Sequence, residues 1–160
     1  MQFSDVSDQQ DPAYKVYCAA FDVVFDKNDG DIEHINRLSR ESRIVYLLWN
    51  FDGEIHNGGF DQLFFNSLGD YCLEILGYLE ELGALKSYIL LSKAISLFPN
   101  SLPANNRQER WSQLNSFSSS SQYQMEIDQL NSEYWKYEDK LNDLLDSYVL
   151  AHPHVLLLLN

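Results

Sequence analysis

The sequence has too few cysteines for a disulfide scaffold and no apolar run long enough to cross a membrane. Its two cysteines, Cys18 and Cys72, lie among apolar residues with helical spacing, so we expect small buried side chains in a reducing compartment. The segment from Met1 to Pro12 is polar and acidic, without the cationic start and apolar core of a secretion signal. We therefore predict a cytoplasmic protein that does not enter the membrane.

Basic residues are also scarce. The 160 residues include 24 acidic and 11 basic ones, for a net charge of −13. The acids come in blocks, and residues 52–85 carry seven acids without one Lys or Arg. Such a chain is repelled by nucleic acid and attracted to basic surfaces. High negative charge also favours solubility, so a solvated acidic face without a partner is the alternative interpretation.

The common catalytic and metal-binding motifs are missing. The chain has no HExxH, paired CxxC, EF-hand loop, P-loop or GxSxG sequence. Asp52, Glu54 and His56 lie two residues apart in a predicted helix, so their side chains point in different directions. We predict no catalytic residues, no metal site and no cofactor.

The residues that are present favour helices. Hydrophobic residues make up 45% of the chain and aromatic residues 14%, which is enough to build a core and argues against disorder. Apolar residues recur at spacings of three and four, and no segment alternates as a strand would. We predict an all-α fold: a single compact domain over residues 1–160 with about six to seven helices, in which 1–10 and 151–160 are loose tails.

Capping residues and glycines set the predicted helix boundaries. Asp11, Asp70 and Ser121 are expected N-caps, Ser121 forming a capping box with Gln124. Glycines in Asn57-Gly58-Gly59 are expected to end a helix. The predicted helices cover about residues 12–27, 32–56, 60–67, 70–82, 86–98, 107–114 and 121–150.

The predicted C-terminal helix carries a regular apolar seam. Its members alternate spacings of three and four: Ile127, Leu130, Tyr134, Tyr137, Leu141, Leu144 and Tyr148. This pattern is typical of coiled-coil-like packing, either against the domain's own helices or against a second copy. Together with the apolar residues 155–159, an uncovered seam would expose hydrophobic surface, which soluble proteins usually bury. We therefore predict a homodimer.

The acidic blocks also suggest an imitation of DNA. B-DNA carries one phosphate charge per about 1.7 Å of its axis, and carboxylates four residues apart on a helix are separated by about 6 Å of rise. Packed helices can therefore present acids at phosphate-like separations to a basic DNA-binding protein. The candidate phosphate-mimicking residues are Asp61, Asp70, Glu74, Glu80, Glu81, Asp128, Glu133 and Asp139.

Residues 52–71 carry a recognisable signature. They resemble a bacterial family of unknown function, marked by the core N-G-G-F-x-Q-(F/L)-(F/Y)-x-N, that includes a DNA-mimic protein. The matching positions are Asn57, Gly58, Gly59, Phe60, Gln62, Phe64 and Asn66. The later segments Gly83-Ala84, Ala94 to Pro99 and Arg107 to Trp111 are also similar, so the resemblance covers about residues 40–115.

The resemblance implies an all-α fold, a dimer and capture of a helix-turn-helix transcription factor, as by an anti-repressor. We expect the signature residues themselves to be structural. The glycines would make a turn, Phe60, Phe64 and Phe65 would fill the core, and Gln62 and Asn66 would hydrogen-bond open backbone ends.

Three functions stay open from the sequence. The first is a DNA mimic that blocks the DNA-binding face of a transcription factor or another DNA-binding protein. The second is an immunity or antitoxin-type protein that neutralises a basic toxin or nuclease. The third is an enzyme that uses a carboxylate cluster, although no pair of acids stands out. We predict a binding protein that is not an enzyme.

Overall fold

The structure, a computed structural model, describes residues 11–25 and 32–157. These residues form helices and connecting turns, with no strand among them, so the predicted all-α class is confirmed. The α-helices are α1 (Pro12–Val24), α2 (Arg40–Phe65), α3 (Cys72–Leu82), α4 (Leu85–Ser96), α5 (Arg107–Phe117), α6 (Ser121–Tyr134), α7 (Leu141–Ala151) and α8 (His154–Leu157). Short 3₁₀-helices cover Ile32–Arg37, Ser67–Tyr71 and Pro99–Ser101.

Contacts divide the chain into two units, Met1–Tyr46 with Leu145–Asn160, and Leu47–Leu144. In the first unit, α1 packs against the 3₁₀-helix Ile32–Arg37 and against α8. The N–H of Ala13 donates to Asp146 Oδ1 at 2.9 Å, which satisfies one of the open donors at the start of α1. Val155 of α8 is buried, so the predicted loose tail contains a short packed helix.

The second unit contains the larger described core. In it α4 packs against both α3 and α6, and α5 packs against the 3₁₀-helix Ser67–Tyr71. The fully buried side chains come from several helices and include Phe51, Ile55, Phe60, Leu63, Phe64, Ile75, Leu79, Leu91 and Ile127. No helix in the described part of the chain has the length and apolarity that a membrane span requires.

The predicted helix stop at Asn57-Gly58-Gly59 is a break at one residue. Gly59 has φ 75° and ψ −171°, a backbone conformation that essentially only glycine adopts. Helical geometry resumes at once, so α2 continues to Phe65 without an intervening loop. Gly83, with φ 79°, ends α3 in the left-handed conformation as expected.

The predicted single helix over residues 121–150 is wrong, because the helix is interrupted between Tyr134 and Leu141. Tyr137 and Lys140 have φ values of 52° and 46°, which an α-helix cannot contain. Neither residue is a glycine, so no ordinary local signal marks this turn. The hydroxyl of Tyr137 accepts a hydrogen bond from the N–H of Asn142 at 3.0 Å and so caps α7.

The interruption also changes which residues face the core. Ile127, Leu130 and Tyr134 are buried within the second unit, so these seam positions are not available to a second copy. After the turn the buried positions of α7 are Leu141, Leu145 and Val149, whereas the predicted seam positions Leu144 and Tyr148 are only partly buried.

Asp11 lies at the predicted N-cap position of α1, although its side chain makes no capping hydrogen bond, and the other two predicted caps are wrong. Ser120, not Ser121, caps α6, and its hydroxyl accepts from the N–H of Tyr123 at 3.1 Å. Gln124 donates instead to the carbonyl of Ser118 at 2.7 Å. Asp70 caps no helix, because it lies inside the 3₁₀-helix Ser67–Tyr71 and binds an arginine described below.

Candidate functional site

The polar residues of the signature surround one carboxylate, Glu54. Gln62 Nε2 donates to Glu54 Oε2 at 2.5 Å, and Asn66 Nδ2 lies 3.1 Å from both oxygens of the same carboxylate. Asn57 Nδ2 donates to Gln62 Oε1 at 3.0 Å. The predicted hydrogen bonds from Gln62 and Asn66 to open backbone ends are therefore wrong. These amides instead hold the two parts of α2 together across the break at Gly59.

The break itself is stabilised by Asn131 of α6. Asn131 Oδ1 accepts a buried hydrogen bond from the N–H of Phe60 at 2.9 Å. A Cβ atom at Gly59 would overlap with the Asn131 side chain, and one at Gly58 would overlap with Gln62. The glycines are therefore required for close approach as well as for the turn, which supports the structural role expected for the signature.

The C-terminal end of α2 is closed by Arg110 of α5, whose side chain is fully buried. Its Nε donates to the carbonyl of Phe64 at 2.6 Å, and its Nη2 to the carbonyl of Asn66 at 2.7 Å. Nη1 donates to Asp70 Oδ1 at 2.7 Å and to the carbonyl of Ala104 at 2.8 Å. Arg110 thus satisfies the open carbonyls of one helix and neutralises its own charge with one acid.

An aromatic stack lies beside this helix end. Phe65, which we predicted to fill the core, is exposed, so that prediction is wrong. The rings of Phe65 and Trp111 are 4.8 Å apart at an interplanar angle of 21°. The guanidinium of Arg107 lies 4.5 Å from the centre of the Trp111 ring. Arg107 Nε and Trp111 Nε1 both donate to the carbonyl of Phe65, at 2.9 and 2.7 Å. A cavity of about 560 Å³ opens next to the stack and is also lined by Asp61.

Buried or half-buried tyrosines hold three carboxylates in place. Tyr123 donates to Asp61 Oδ1 at 2.5 Å, Tyr78 to Glu74 Oε1 at 2.7 Å, and Tyr134 to Asp52 Oδ1 at 2.7 Å. Of these acids, Asp61 and Glu74 are among the predicted phosphate-mimicking residues, and Asp52 is not.

The hydroxyls of Tyr123 and Tyr134 remain protonated. Burial, followed by the adjacent carboxylate, raises the pKa of both Tyr123 and Tyr134 above the ordinary tyrosine value. Burial also raises the pKa of Asp52, and the bonds from Tyr134 and His56 only partly oppose that shift. His56 Nδ1 lies 3.2 Å from Asp52 Oδ1. Tyr123 and Tyr134 are therefore uncharged donors to Asp61 and Asp52.

Two other predicted mimic residues are paired with cations. Asp70 is paired with Arg110, and Glu133 accepts from Lys86 at 3.2 Å and from Lys136 at 2.5 Å. The hydrogen bonds from Lys136 and Lys86 lower the pKa of Glu133.

Asp139, another predicted mimic residue, has a structural role. Its carboxylate accepts from the N–H groups of Lys86 and Ser87 at 3.3 and 2.6 Å, so it caps α4 from the turn after α6. The last three candidates, Glu80, Glu81 and Asp128, are exposed.

Metal binding finds no support in the described residues, where no group of three or more His, Cys, Asp or Glu side chains is arranged to hold an ion. Sequence reasoning missed Glu54, Arg110 and Asn131 as organising residues. Of these three, only Arg110 stands out in the sequence, because it is one of few basic residues in an acidic chain.

Comparison with known proteins gives one match. The model of the family described as DMP19-like protein matches residues 36–152, which is more than half of the chain. No curated protein and no solved structure matches.

Proposed function

Because the chain belongs to the DMP19-like protein family, we propose that it is a DNA mimic that occupies the DNA-binding face of another protein. The proposed partner is a basic DNA-binding protein, such as a helix-turn-helix transcription factor, whose access to DNA is then blocked. In this role the protein acts as an anti-repressor, without enzymatic activity and without binding nucleic acid itself.

The observation that carries the proposal is the way in which the acids are held. Tyr123 fixes Asp61 with a neutral hydroxyl donor, whereas a lysine or arginine would also cancel its charge, and Tyr78 fixes Glu74 through a hydrogen bond. A phosphate backbone presents fixed negative charges, and a fixed carboxylate loses less conformational entropy when a partner binds. Amide donors hold Glu54 in the same way.

The remaining candidates contribute unequally to the proposed surface. Glu80 and Glu81 are exposed on α3 and belong to the block over 52–85 that contains no base. Asp128 is exposed on α6. Asp70 and Glu133 are already paired with cations, so we expect smaller contributions from them.

We also propose a cytoplasmic homodimer. The predicted seam cannot support the dimer, since Ile127, Leu130 and Tyr134 are buried within one unit. Exposed aromatic residues on α1 and at its C-cap support it instead, because Tyr14, Phe21 and Phe25 are 38%, 41% and 44% exposed. Light scattering that returns the monomer mass of 18.6 kDa at micromolar concentration would contradict this part of the proposal.

The test begins with capture of the partner from a lysate and its identification by mass spectrometry. Fluorescence anisotropy then follows a labelled duplex bound to that partner, and our protein is expected to displace it. Affinity between the two proteins should fall by about three to five powers of ten between about 50 and 200 mM salt, as for complexes with six to ten phosphate contacts.

Charge variants provide the matched comparison. The triple change Glu74→Gln, Glu80→Gln and Glu81→Gln should weaken binding, whereas Lys93→Gln, which removes a positive charge, should not. A complex that survives 0.5 M salt while its partner still binds DNA would refute mimicry. Inhibition of a basic nuclease or toxin, without competition by DNA, would identify the immunity-type alternative.

A further inference from the structure

The cavity beside the Phe65–Trp111 stack, which we call the aromatic pocket, is walled by Asp61, Phe65 and Trp111. Leu114 closes part of the wall, and the other lining side chains are uncharged and polar. Phe65 is a large aromatic residue with 52% of its surface exposed, at a variable position within the family signature. Its ring is therefore available to a ligand in addition to Trp111.

The chemistry of the aromatic pocket fits a planar cation. Among the described residues that line it, Asp61 is the one charged side chain and none is basic. Tyr123 uses one acceptor position of Asp61 Oδ1, and a carboxylate has about four such positions, so acceptor capacity remains. The pocket therefore offers a fixed negative charge beside aromatic faces, the combination that attracts a guanidinium group.

The chain itself shows that this stack accepts a guanidinium. Arg107 already lies over the Trp111 ring at 4.5 Å and over the Phe65 ring at 5.5 Å. Arg107 does not line the aromatic pocket, so it does not occupy that space. The pocket side of the stack combines the same aromatic chemistry with the carboxylate of Asp61.

We propose that the aromatic pocket receives one arginine side chain of the bound partner. The guanidinium stacks on Phe65 and Trp111 and donates charge-assisted hydrogen bonds to Asp61. Arginine fits better than lysine because its group is planar and can stack and donate at once. This inference rests on the proposed function, since DNA-binding surfaces are rich in arginine. It adds one anchoring contact to an otherwise distributed electrostatic surface.

A small probe tests the pocket without the partner. N-acetyl-arginine N-methylamide is titrated into the ¹⁵N-labelled protein, and the indole N–H signal of Trp111 is followed by NMR. Trp111→Phe assigns that signal among the three tryptophans. We expect a saturable shift with a dissociation constant on the order of 1 mM. The matched citrulline compound, which is planar but uncharged, should bind at least about tenfold more weakly.

Two variants with the same charge change separate the pocket from general electrostatics. Asp61→Asn should weaken probe binding about tenfold, and its amide oxygen can still accept from Tyr123, which preserves the fold. Asp128→Asn, at an exposed acid that does not line the pocket, should leave probe binding unchanged. Equal binding of the citrulline compound, unchanged binding by Asp61→Asn, or no shift of Trp111 would overturn the proposal. Tighter binding of adenosine would overturn it too, since that result would show a site for a neutral planar ring.

The captured partner distinguishes this failure from failure of the proposed function. If Asp61→Asn and Asp128→Asn weaken the partner complex equally while DNA still competes, mimicry stands and the arginine anchor is refuted. If the arginine probe binds as expected but DNA does not compete for the partner, the pocket stands and mimicry is refuted.

Discussion

Replacement of Arg110 by methionine tests whether this one side chain holds the end of α2. The change keeps much of the apolar stem and removes the donors that bind the carbonyls of Phe64, Asn66 and Ala104. It also leaves Asp70 without its cation. Breaking a buried ion pair by removing one partner costs about 3–5 kcal/mol, and each buried carbonyl left unbonded costs about 1–3 kcal/mol.

These costs overlap, because water can reach some of the groups once the arginine is gone; the Asp70 side chain is already 23% exposed. We therefore expect a loss of at least about 3–5 kcal/mol in the free energy of unfolding, out of a total of about 5–15 kcal/mol. Urea unfolding followed by far-ultraviolet circular dichroism measures the loss.

Arg107 supplies the control. It is exposed, and its acceptor, the Phe65 carbonyl, keeps a second donor in Trp111 Nε1. Arg107→Met should therefore cost only about 0.5–1 kcal/mol, the value of an exposed cation–π contact. Addition of Asp70→Asn to Arg110→Met should recover part of the loss by removing the unpaired carboxylate. If both arginine variants lose the same stability, the assignment of Arg110 as the residue that closes α2 is refuted.

Two further predictions concern a glycine and a buried acid. Gly59→Ala should lose about 1–3 kcal/mol of unfolding free energy, because alanine does not tolerate that backbone conformation. Gly77→Ala, in open space within α3, should instead gain about 0.5–1 kcal/mol. Equal effects of the two variants in thermal melts would contradict this prediction. The stabilisation from protonated Asp52 is present below the ordinary pKa of aspartate and is lost as pH rises through its raised pKa. Asp52→Asn should therefore raise the melting temperature at pH 7 more than the exposed control Glu80→Gln. This advantage should vanish at about pH 3, below the ordinary pKa of aspartate. A similar rise for both variants at pH 7 would refute the role of burial.

Local signals in the sequence predicted the helices well where one residue decides the outcome. Pro12 opens α1, and Gly59 and Gly83 adopt the positive φ values expected of glycines at helix ends. The turn at Tyr137 and Lys140 could not be read in this way, since both residues have side chains that disfavour positive φ.

The site was less predictable because its contacts are distant in sequence. Phe60 meets Asn131 across 71 positions, and Arg110 meets the carbonyl of Phe64 across 46. The candidate acids were visible as a block, yet nothing local distinguishes Asp61, bound to a neutral tyrosine, from Asp70, bound to an arginine. The sequence therefore predicted which residues are charged but not which charges remain uncancelled.

The closure of α2 by Arg110 has a consequence for synthesis of the chain. A ribosome releases the C-terminal end of α2 long before α5, because more than 40 residues separate Asn66 from its donor. Until Arg110 emerges, the carbonyls of Phe64 and Asn66 lack their arginine donor, and the Gly59 break also waits for Asn131. Chains arrested before residue 107 should therefore be digested readily by protease within 47–66, and protection should appear only after α6 has left the exit tunnel. Folding of the signature region is thus a late event in translation, although the signature itself lies in the first half of the sequence.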